Sequence, residues 1–187
     1  MQDSRSKKLL LVAHCVLNQN SKVEGIARYP GTYRPAVDLI LQSEVGIYQL
    51  PCPEMMYLGI SRWSAVKAQY SSPFFRRHCR ALAERVMDEV EDYTARGYEA
   101  LGVLGMDGSP ACGVELTNAT GGAPWGGRII EPPARRLITG SGAFMDALRE
   151  AAAARGLSAL RFIALPESDE AGSLDEGLAR LRALLWG

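Results

Sequence analysis

The sequence lacks several features by which common classes of protein are recognised. It has no excess charge, since lysine and arginine total 21 and aspartate and glutamate total 21, so no overall field favours nucleic acid or an anionic membrane as partner. No segment approaches the roughly 20 apolar residues of a membrane span. The first residues lack the hydrophobic region and cleavage site of a secretory signal. We therefore expect a cytoplasmic protein that binds neither a nucleic-acid polymer nor a membrane.

Common nucleotide-binding and zinc-binding motifs are also missing. No GxGxxG follows the first predicted strand and no GxxxxGK[ST] occurs, so neither a dinucleotide fold nor a P-loop nucleotidase has direct support. The chain has no C-x2-C pair and only two histidines, whereas structural zinc generally requires four ligands in short-spaced pairs. Catalytic zinc on three widely spaced cysteines remains possible.

Short apolar runs alternate with amphipathic stretches along the chain. This pattern predicts βα units and an α/β fold with a mostly parallel, open sheet and flanking helices, in the doubly wound, Rossmann-like manner. At 187 residues, the chain is long enough for one ordinary core, and we expect residues 1–187 to form a single domain. Strands are predicted at 8–15, 45–52, 98–107 and 157–167, and helices at 33–44, 71–97, 141–156 and 173–187.

A glycine-rich segment interrupts this alternation at about residues 115–133, "ELTNATGGAPWGGRIIEPP". It is too rich in glycine for a core element and too long for an ordinary connection. Loops of that length are usually functional or disordered. The sequence leaves open whether this one has a function or is a surface excursion.

Three of the four cysteines share a context. Cys15, Cys52 and Cys112 each follow an apolar strand and precede a turn, whereas Cys79 falls in an amphipathic helix, where we interpret it as a small buried hydrophobe. In an open parallel sheet the carboxyl ends of the strands lie along one edge, and ligands bind in the crevice outside it. We therefore expect the three cysteines to meet in space.

Thiols beside such turns are suited to a soft metal, because exposed backbone N–H groups stabilise thiolates and hydrogen-bond to sulfide. Two kinds of centre remain open on the residues alone. One is a catalytic zinc ion with three thiolates. The other is a four-iron cluster, in which one iron would lack a protein ligand and act as a Lewis acid toward a soft atom such as sulfur.

The segments around the three cysteines resemble a known family. "VAHCVLNQNSKVEGIARYPG", "LPCPEMMYLGISRW" and "DGSPACG" are similar, in order and spacing, to the three cysteine motifs of the thiouracil desulfidase family, once catalogued only as a domain of unknown function. The resemblance covers roughly residues 8–114, and "GSGAFMDALREAAAARGL" with "RFIALPE" looks like the closing helix and strand of that family. Ala13 and His14 stand where the family commonly has Ser-Ala, and "YLGISRW" replaces Gly-Leu-Pro-Thr-Pro-Arg, which indicates a divergent branch.

The resemblance implies an enzyme that removes sulfur from a small thiolated compound, such as a thiolated nucleobase, without net redox chemistry. It also implies an oxygen-sensitive [4Fe-4S] cluster held by Cys15, Cys52 and Cys112. Glu54 and Ser109 occupy the polar positions of the motifs.

Glu54 and Ser109 are the predicted catalytic residues. Glu54, two residues past a cysteine, is a candidate general base, although it could instead cap the next turn. Ser109 either orients the water or the base, or only fixes the turn before Pro110. Weaker candidates for contact with the substrate are Asn18, Arg28, Arg62 and Trp63.

Two other interpretations remain open at this stage. The chain can be a noncatalytic α/β module that binds a nucleotide or metabolite, with incidental cysteines. It can also be a zinc enzyme that uses the same three cysteines.

Overall fold

Four parallel strands form the centre of the fold in the computed structural model, which describes residues 3–121 and 134–187. Their order across the sheet is β2-β1-β3-β6, and a separate antiparallel pair joins β4 and β5. The strands of the described residues are β1 (Lys8–Val12), β2 (Gly46–Gln49), β3 (Glu99–Asp107), β4 (Leu116–Thr120), β5 (Arg135–Thr139) and β6 (Arg161–Pro166).

The strand order defines where a ligand can bind. The chain runs from β1 outward to β2, and then returns to the other side of β1 to add β3 and β6. The direction of winding therefore reverses between β1 and β3, and the crevice outside the carboxyl ends of these two strands is the usual ligand site of such a fold. The predicted α/β fold with a parallel, Rossmann-like sheet is confirmed.

Helices cover the sheet in two groups. The α-helices of the described residues are α1 (His14–Leu17), α2 (Arg34–Gln42), α3 (Pro53–Leu58), α4 (Lys67–Tyr70), α5 (Pro73–Ala95), α6 (Ala143–Ala154) and α7 (Leu174–Trp186). Helix α5 contacts α6, and α2 contacts α7. β3 is buried continuously from Leu101 to Asp107, as expected for a parallel strand covered on both faces. None of the described helices is both long enough and apolar enough to cross a membrane.

The boundaries of the long helix α5 follow from its sequence. The Ser72 hydroxyl accepts the N–H of Phe75 at 3.2 Å, and Pro73 takes the first helical position, where a missing N–H costs nothing. Gly97 follows the helix with a φ of 77°, a conformation that favours glycine. The helix predicted at 71–97 therefore begins and ends close to its predicted bounds.

The structure departs from the predicted elements at the strand ends. The first strand stops at Val12 instead of Cys15, because Ala13 starts a helical turn in which its carbonyl accepts the N–H of Val16 at 2.9 Å. The predicted loop at 115–133 begins with a strand, β4, and the helices α3 and α4 were not predicted. The remainder of that loop, residues 122–133, lies outside the described residues.

The start of α6 is attached to the turn that carries Cys112. The N–H groups of Ala143 and Phe144 donate to the carbonyls of Pro110 and Ala111 at 3.1 and 2.9 Å. A Cβ atom on Gly142 would meet the Ala111 carbonyl and would lie 2.7 Å from the Cys112 nitrogen. Glycine at this position therefore permits the helix to approach the turn.

Gly142→Ala is expected to lower the free energy of unfolding by about 1–3 kcal/mol, because the added methyl overlaps backbone that cannot move freely. Gly31→Ala is the matched control, since a Cβ at Gly31 would meet no atom within 4 Å, and it should change stability by no more than about 0.5 kcal/mol. Urea denaturation measures both. Equal stability of the two variants would contradict the close approach.

Candidate functional site

Three cysteines from three different strand ends line one small cavity. Cys15 lies in α1 just after β1, Cys52 is the N-cap of α3 after β2, and Cys112 follows β3. The cavity has a volume of about 50 Å³, and the predicted catalytic residues Glu54 and Ser109 also line it. It lies at the carboxyl edge of the sheet, where the winding of the strands reverses.

Removal from water dominates the electrostatics of the thiols. It raises the pKa of Cys15 to about 12, opposed mainly by the positive charge of Lys22. It also raises the pKa of Cys112 well above its usual value, and the neighbouring Cys15 and Cys52 add to that increase. These thiols are therefore protonated at neutral pH, and a metal that bound them would displace their protons.

Among the three cavity cysteines, Cys52 has the contacts that most favour its thiolate form. Burial raises its pKa as well, but the N–H of Met55 donates to its sulfur at 3.4 Å and the charge of Arg62 opposes the shift. All four cysteines are free thiols. Within residues 3–121 and 134–187, no group of three or more His, Cys, Asp or Glu side chains is arranged to hold a metal ion.

Cys79 lies outside the cavity, in the buried face of α5. Its side chain is completely buried in the core, as its position in the helix suggested. It is nevertheless near enough to Cys112 to contribute to the raised pKa of that thiol. Cys79 is thus a fourth thiol near the cavity that is not part of its wall.

Glu54 is held in the cavity wall by Arg62. The two side chains are buried, and the Arg62 Nε donates to the Glu54 Oε2 at 3.3 Å. Arg62 also donates to the carbonyls of Gly59 and Ser21 at 3.2 and 2.7 Å. Burial raises the pKa of Glu54 and the charge of Arg62 opposes that shift. The sequence singled out Arg62 as a substrate contact, and in the structure its guanidinium orients the carboxylate.

The hydroxyl of Tyr70 is a buried polar group beside Glu54. Tyr70 is 3% exposed, and its hydroxyl makes no hydrogen bond of normal geometry within the described part of the chain. Burial raises the pKa of Tyr70, and the negative charge of Glu54 adds to the increase. Its ring stacks on Phe75, with centroids 4.2 Å apart. The ring is thereby fixed with its hydroxyl near the candidate base.

Ser109 organises the turn that ends in Cys112. Its hydroxyl oxygen accepts the N–H of Ala111 at 3.3 Å and the N–H of Cys112 at 3.0 Å. These contacts match the turn-fixing role that was one of the two predicted for this residue. The hydroxyl proton is a separate group, which Ser109 can still donate into the cavity it lines.

Asp107, which sequence reasoning missed, fixes the rest of that turn. One oxygen of its buried carboxylate accepts three backbone N–H groups, those of Val114, Glu115 and Leu116, at 2.7, 3.0 and 3.2 Å. The chain after Cys112 is folded back over the end of β3 by these bonds. An acidic residue at the end of a buried strand, followed by Gly108, was the available signal.

Sequence reasoning also missed Lys22 and Glu167, which form a part-buried ion pair in the cavity wall. The Lys22 Nζ lies 2.6 Å from the Glu167 Oε1, and the lysine side chain is 5% exposed. Glu167 directly follows β6, so the rule that placed the cysteines at strand ends applies to it as well. Lys22 had no comparable signal, because it lies in an irregular segment after α1.

Three weaker candidates are absent from the wall of the cysteine cavity. Asn18 caps the 3-10 turn Gln19–Ser21 by accepting the N–H of Asn20 at 3.1 Å. Arg28 pairs with Asp169 at 2.7 Å, and Trp63 is 80% exposed. None of the three lines the cysteine cavity.

A larger cleft of about 520 Å³ adjoins the cysteine cavity. The two spaces share part of their walls, and the side chains common to both are Ile26, Ser64, Asn118 and Glu167. Arg28 lies in the outer cleft, and β4 and β5 contribute to its wall. The Asn118 Oδ1 is buried and has no hydrogen-bond partner among the described residues. The outer cleft therefore offers room, and an unsatisfied polar atom, next to the thiols.

Comparison with known proteins shows a relative in an archaeon. The chain is 34% identical over 110 residues to uncharacterized protein MJ0003 of Methanocaldococcus jannaschii, which covers 59% of this chain and 70% of that protein. The chain belongs to the MJ0003 family. No family model matches it, and no solved structure matches it. The cysteine cavity described above is the candidate functional site of this chain.

Asp107→Ala is expected to destabilise the protein by about 2–4 kcal/mol, because it removes a charged acceptor from three backbone N–H groups, of which that of Val114 is buried and those of Glu115 and Leu116 are part-buried. Amide hydrogen exchange should accelerate at Val114, Glu115 and Leu116. Asp107→Asn is the control, since its amide oxygen can still accept and the loss should be smaller. Unchanged exchange at these amides in Asp107→Ala would contradict the role given to the carboxylate.

Proposed function

We propose that this protein is an iron–sulfur-dependent desulfidase, which removes sulfur as sulfide from a small thiolated compound such as a thiolated nucleobase. The observation that carries this proposal is the gathering of Cys15, Cys52 and Cys112 with Glu54 and Ser109 around one cavity. Position by position, these are the residues that the resemblance to the thiouracil desulfidases assigns to the cluster and to catalysis. A reducing, cytoplasmic location fits, because the proposed ligands must remain thiols.

The set of donors suits a [4Fe-4S] cluster. Three soft thiols come from the ends of three neighbouring strands, and thiolates are the usual ligands of iron–sulfur clusters. A cubane cluster holds its ligands around a cube of iron and sulfide, so they need not converge on a single ion. Lys22 and Arg62 lie in the same wall, each paired with a carboxylate, Glu167 and Glu54 respectively.

Cys15, Cys52 and Cys112 would be the protein ligands of the cluster. With three thiolates, a bound cluster would supply an iron that lacks a protein ligand and acts as a Lewis acid toward the sulfur of the substrate. The overall reaction converts a thiocarbonyl and water into a carbonyl and hydrogen sulfide. The C–S bond breaks, a C–O bond forms, and no electrons are transferred in total.

Glu54 is the proposed general base. Its carboxylate lines the cavity and is oriented by Arg62, so it can take a proton from the water that attacks the thiocarbonyl carbon and later return it to the departing sulfide. The guanidinium of Arg62 donates three hydrogen bonds, one to the Glu54 carboxylate and one each to the carbonyls of Gly59 and Ser21. These contacts keep the base in one position without reorganisation during the reaction.

Ser109 is proposed to orient the reactants. Its oxygen is fixed by two backbone N–H groups, so its hydroxyl proton has a defined direction and can be donated to a heteroatom of the substrate. The inner cavity of about 50 Å³ is small. A bound cluster would occupy that space, so the substrate would lie in the adjoining cleft of about 520 Å³, which is within the usual range of small-molecule sites, with its thiocarbonyl sulfur facing the three cysteines.

Anaerobic reconstitution with iron and sulfide should give broad absorption at about 400 nm, as is usual for such centres, and about four iron atoms and four acid-labile sulfides per chain. Cys15→Ala, Cys52→Ala and Cys112→Ala should each lose the cluster. Cys79→Ala is the matched control, because its thiol is buried outside the cavity, and it should keep the cluster.

Retention of the cluster by all three cavity variants would exclude this assignment. Its loss in Cys79→Ala, with the fold intact by circular dichroism, would show that the three-cysteine ligand set is wrong. About one zinc per chain in anaerobically purified protein would indicate a zinc enzyme instead. If the purified protein contained neither iron nor zinc and bound a metabolite saturably, the noncatalytic module would be favoured.

Glu54→Gln should retain the cluster but release sulfide from thiolated nucleobases at least about 100-fold more slowly, because the amide cannot act as a base. Glutamine can still accept from Arg62, although the buried guanidinium loses its counter-charge, and circular dichroism checks that the fold is retained. Glu115→Gln is the control: Glu115 is exposed and lies outside the cavity. If Glu54→Gln released sulfide at the rate of Glu115→Gln, Glu54 would not be the base.

A further inference from the structure

A second cleft, lined in part by Tyr70, carries a surplus of positive charge. Its volume is about 410 Å³, and it lies between α4, the first turns of α5 and the first turns of α6. None of its lining residues also lines the cysteine cavity. Its charged side chains are Lys67, Arg76, Arg80, Asp146, Arg149 and Glu150.

The two carboxylates of this cleft compensate only part of the charge. Asp146 lies 3.9 Å from the Lys67 Nζ, and Glu150 lies 4.0 Å from the Arg80 Nε. Both distances are at the long limit for an ion pair. Lys67 is held mainly by the carbonyl of Ser141, to which its Nζ donates at 2.6 Å. Each carboxylate thus has one distant cationic neighbour.

Among the residues that the structure describes, no carboxylate pairs with two arginines of the cleft, Arg76 and Arg149. Arg149 lies over the ring of Phe162, with its guanidinium carbon 4.3 Å from the ring centroid. Arg76 forms no ion pair in the described part of the chain. Because the chain as a whole has equal numbers of acidic and basic residues, a concave surface with four cations and two anions is a local concentration of charge. It attracts anions.

The geometry of the arginines points to a particular anion. Arg76 and Arg80 are four residues apart in α5 and therefore project from the same face of the helix. Guanidinium groups are planar forks that match the oxygens of phosphate. The cleft also lies at the first turns of a helix of 23 residues, where the helix dipole adds positive potential.

We propose that this cleft binds a phosphate group, either as the free anion or as part of a small phosphate ester. The site does not depend on the proposed desulfidase activity, since it shares no lining residue with the cysteine cavity. Its concave shape and volume suit a small molecule. Arg76 and Arg80 hold the phosphate oxygens, and Lys67 and Arg149 contribute charge from the opposite walls.

The test is calorimetric titration of the full chain at low ionic strength with inorganic phosphate and, separately, with glycerol 3-phosphate. Saturable binding of one ligand per chain is expected for at least one of them. Tighter binding of glycerol 3-phosphate identifies a phosphate ester as the natural class, and tighter binding of inorganic phosphate identifies the free anion. No saturable binding of either compound would overturn the proposal.

Charge-removing variants locate the site. The double variant Arg76→Gln/Arg80→Gln should weaken phosphate binding at least about tenfold, equivalent to about 1.4 kcal/mol, because both guanidinium groups are lost. Arg77→Gln is the matched control: Arg77 is exposed on the same helix but does not line the cleft, and its affinity should change less than about twofold. Equal weakening by Arg77→Gln, or undiminished binding by the double variant, would overturn the assignment. All substituted side chains are exposed, and circular dichroism checks that the fold is retained.

Discussion

The carboxylate of Asp107 is the contact on which the candidate site depends. It ends β3, at the point where the winding of the sheet reverses, and collects three backbone N–H groups from the chain that follows Cys112. Without this acceptor, the buried N–H of Val114 and the part-buried N–H groups of Glu115 and Leu116 would lose their hydrogen bonds, at a cost in free energy. Together with the hydroxyl of Ser109, the carboxylate decides which way the turn faces. The third thiol therefore lies at the sheet edge with the other two because a polar network holds it there.

The charges around the thiols are arranged in opposed pairs. Lys22 with Glu167 and Arg62 with Glu54 make the wall of the cavity neutral in sum. Neutral thiols suit such a wall, which is consistent with the raised pKa values of Cys15 and Cys112. Binding of a cationic metal centre would release the protons of the thiols, and the positive charge of the metal would take their place beside the sulfurs. The wall would then need little rearrangement, since its own charges are already compensated.

Much of the fold follows from the sequence, whereas only part of the site does. Continuous apolar runs such as that in β3 and the capped, periodic pattern of α5 fix the elements, because each depends on residues close together in the chain. The edge rule for parallel sheets then places Cys15, Cys52 and Cys112 together. The contacts of Asp107 and Lys22 depend on how irregular segments fold back onto the sheet. Hydrophobic periodicity in the sequence does not predict the path of such segments. For the same reason the short helices α3 and α4 and the strand β4 escaped prediction.

Tyr70 connects the basic cleft with the wall of the cysteine cavity. Its ring lines the basic cleft, and its buried hydroxyl lies beside Glu54 in the wall of the cysteine cavity. Packing on Phe75, at the first turn of α5, leaves the ring little freedom. The start of α6, which forms another wall of the cleft, is hydrogen-bonded to Pro110 and Ala111 beside Cys112. Any change that separated α5 from α6 would therefore act on both the candidate base and the turn of the third cysteine, because one packed layer supports both.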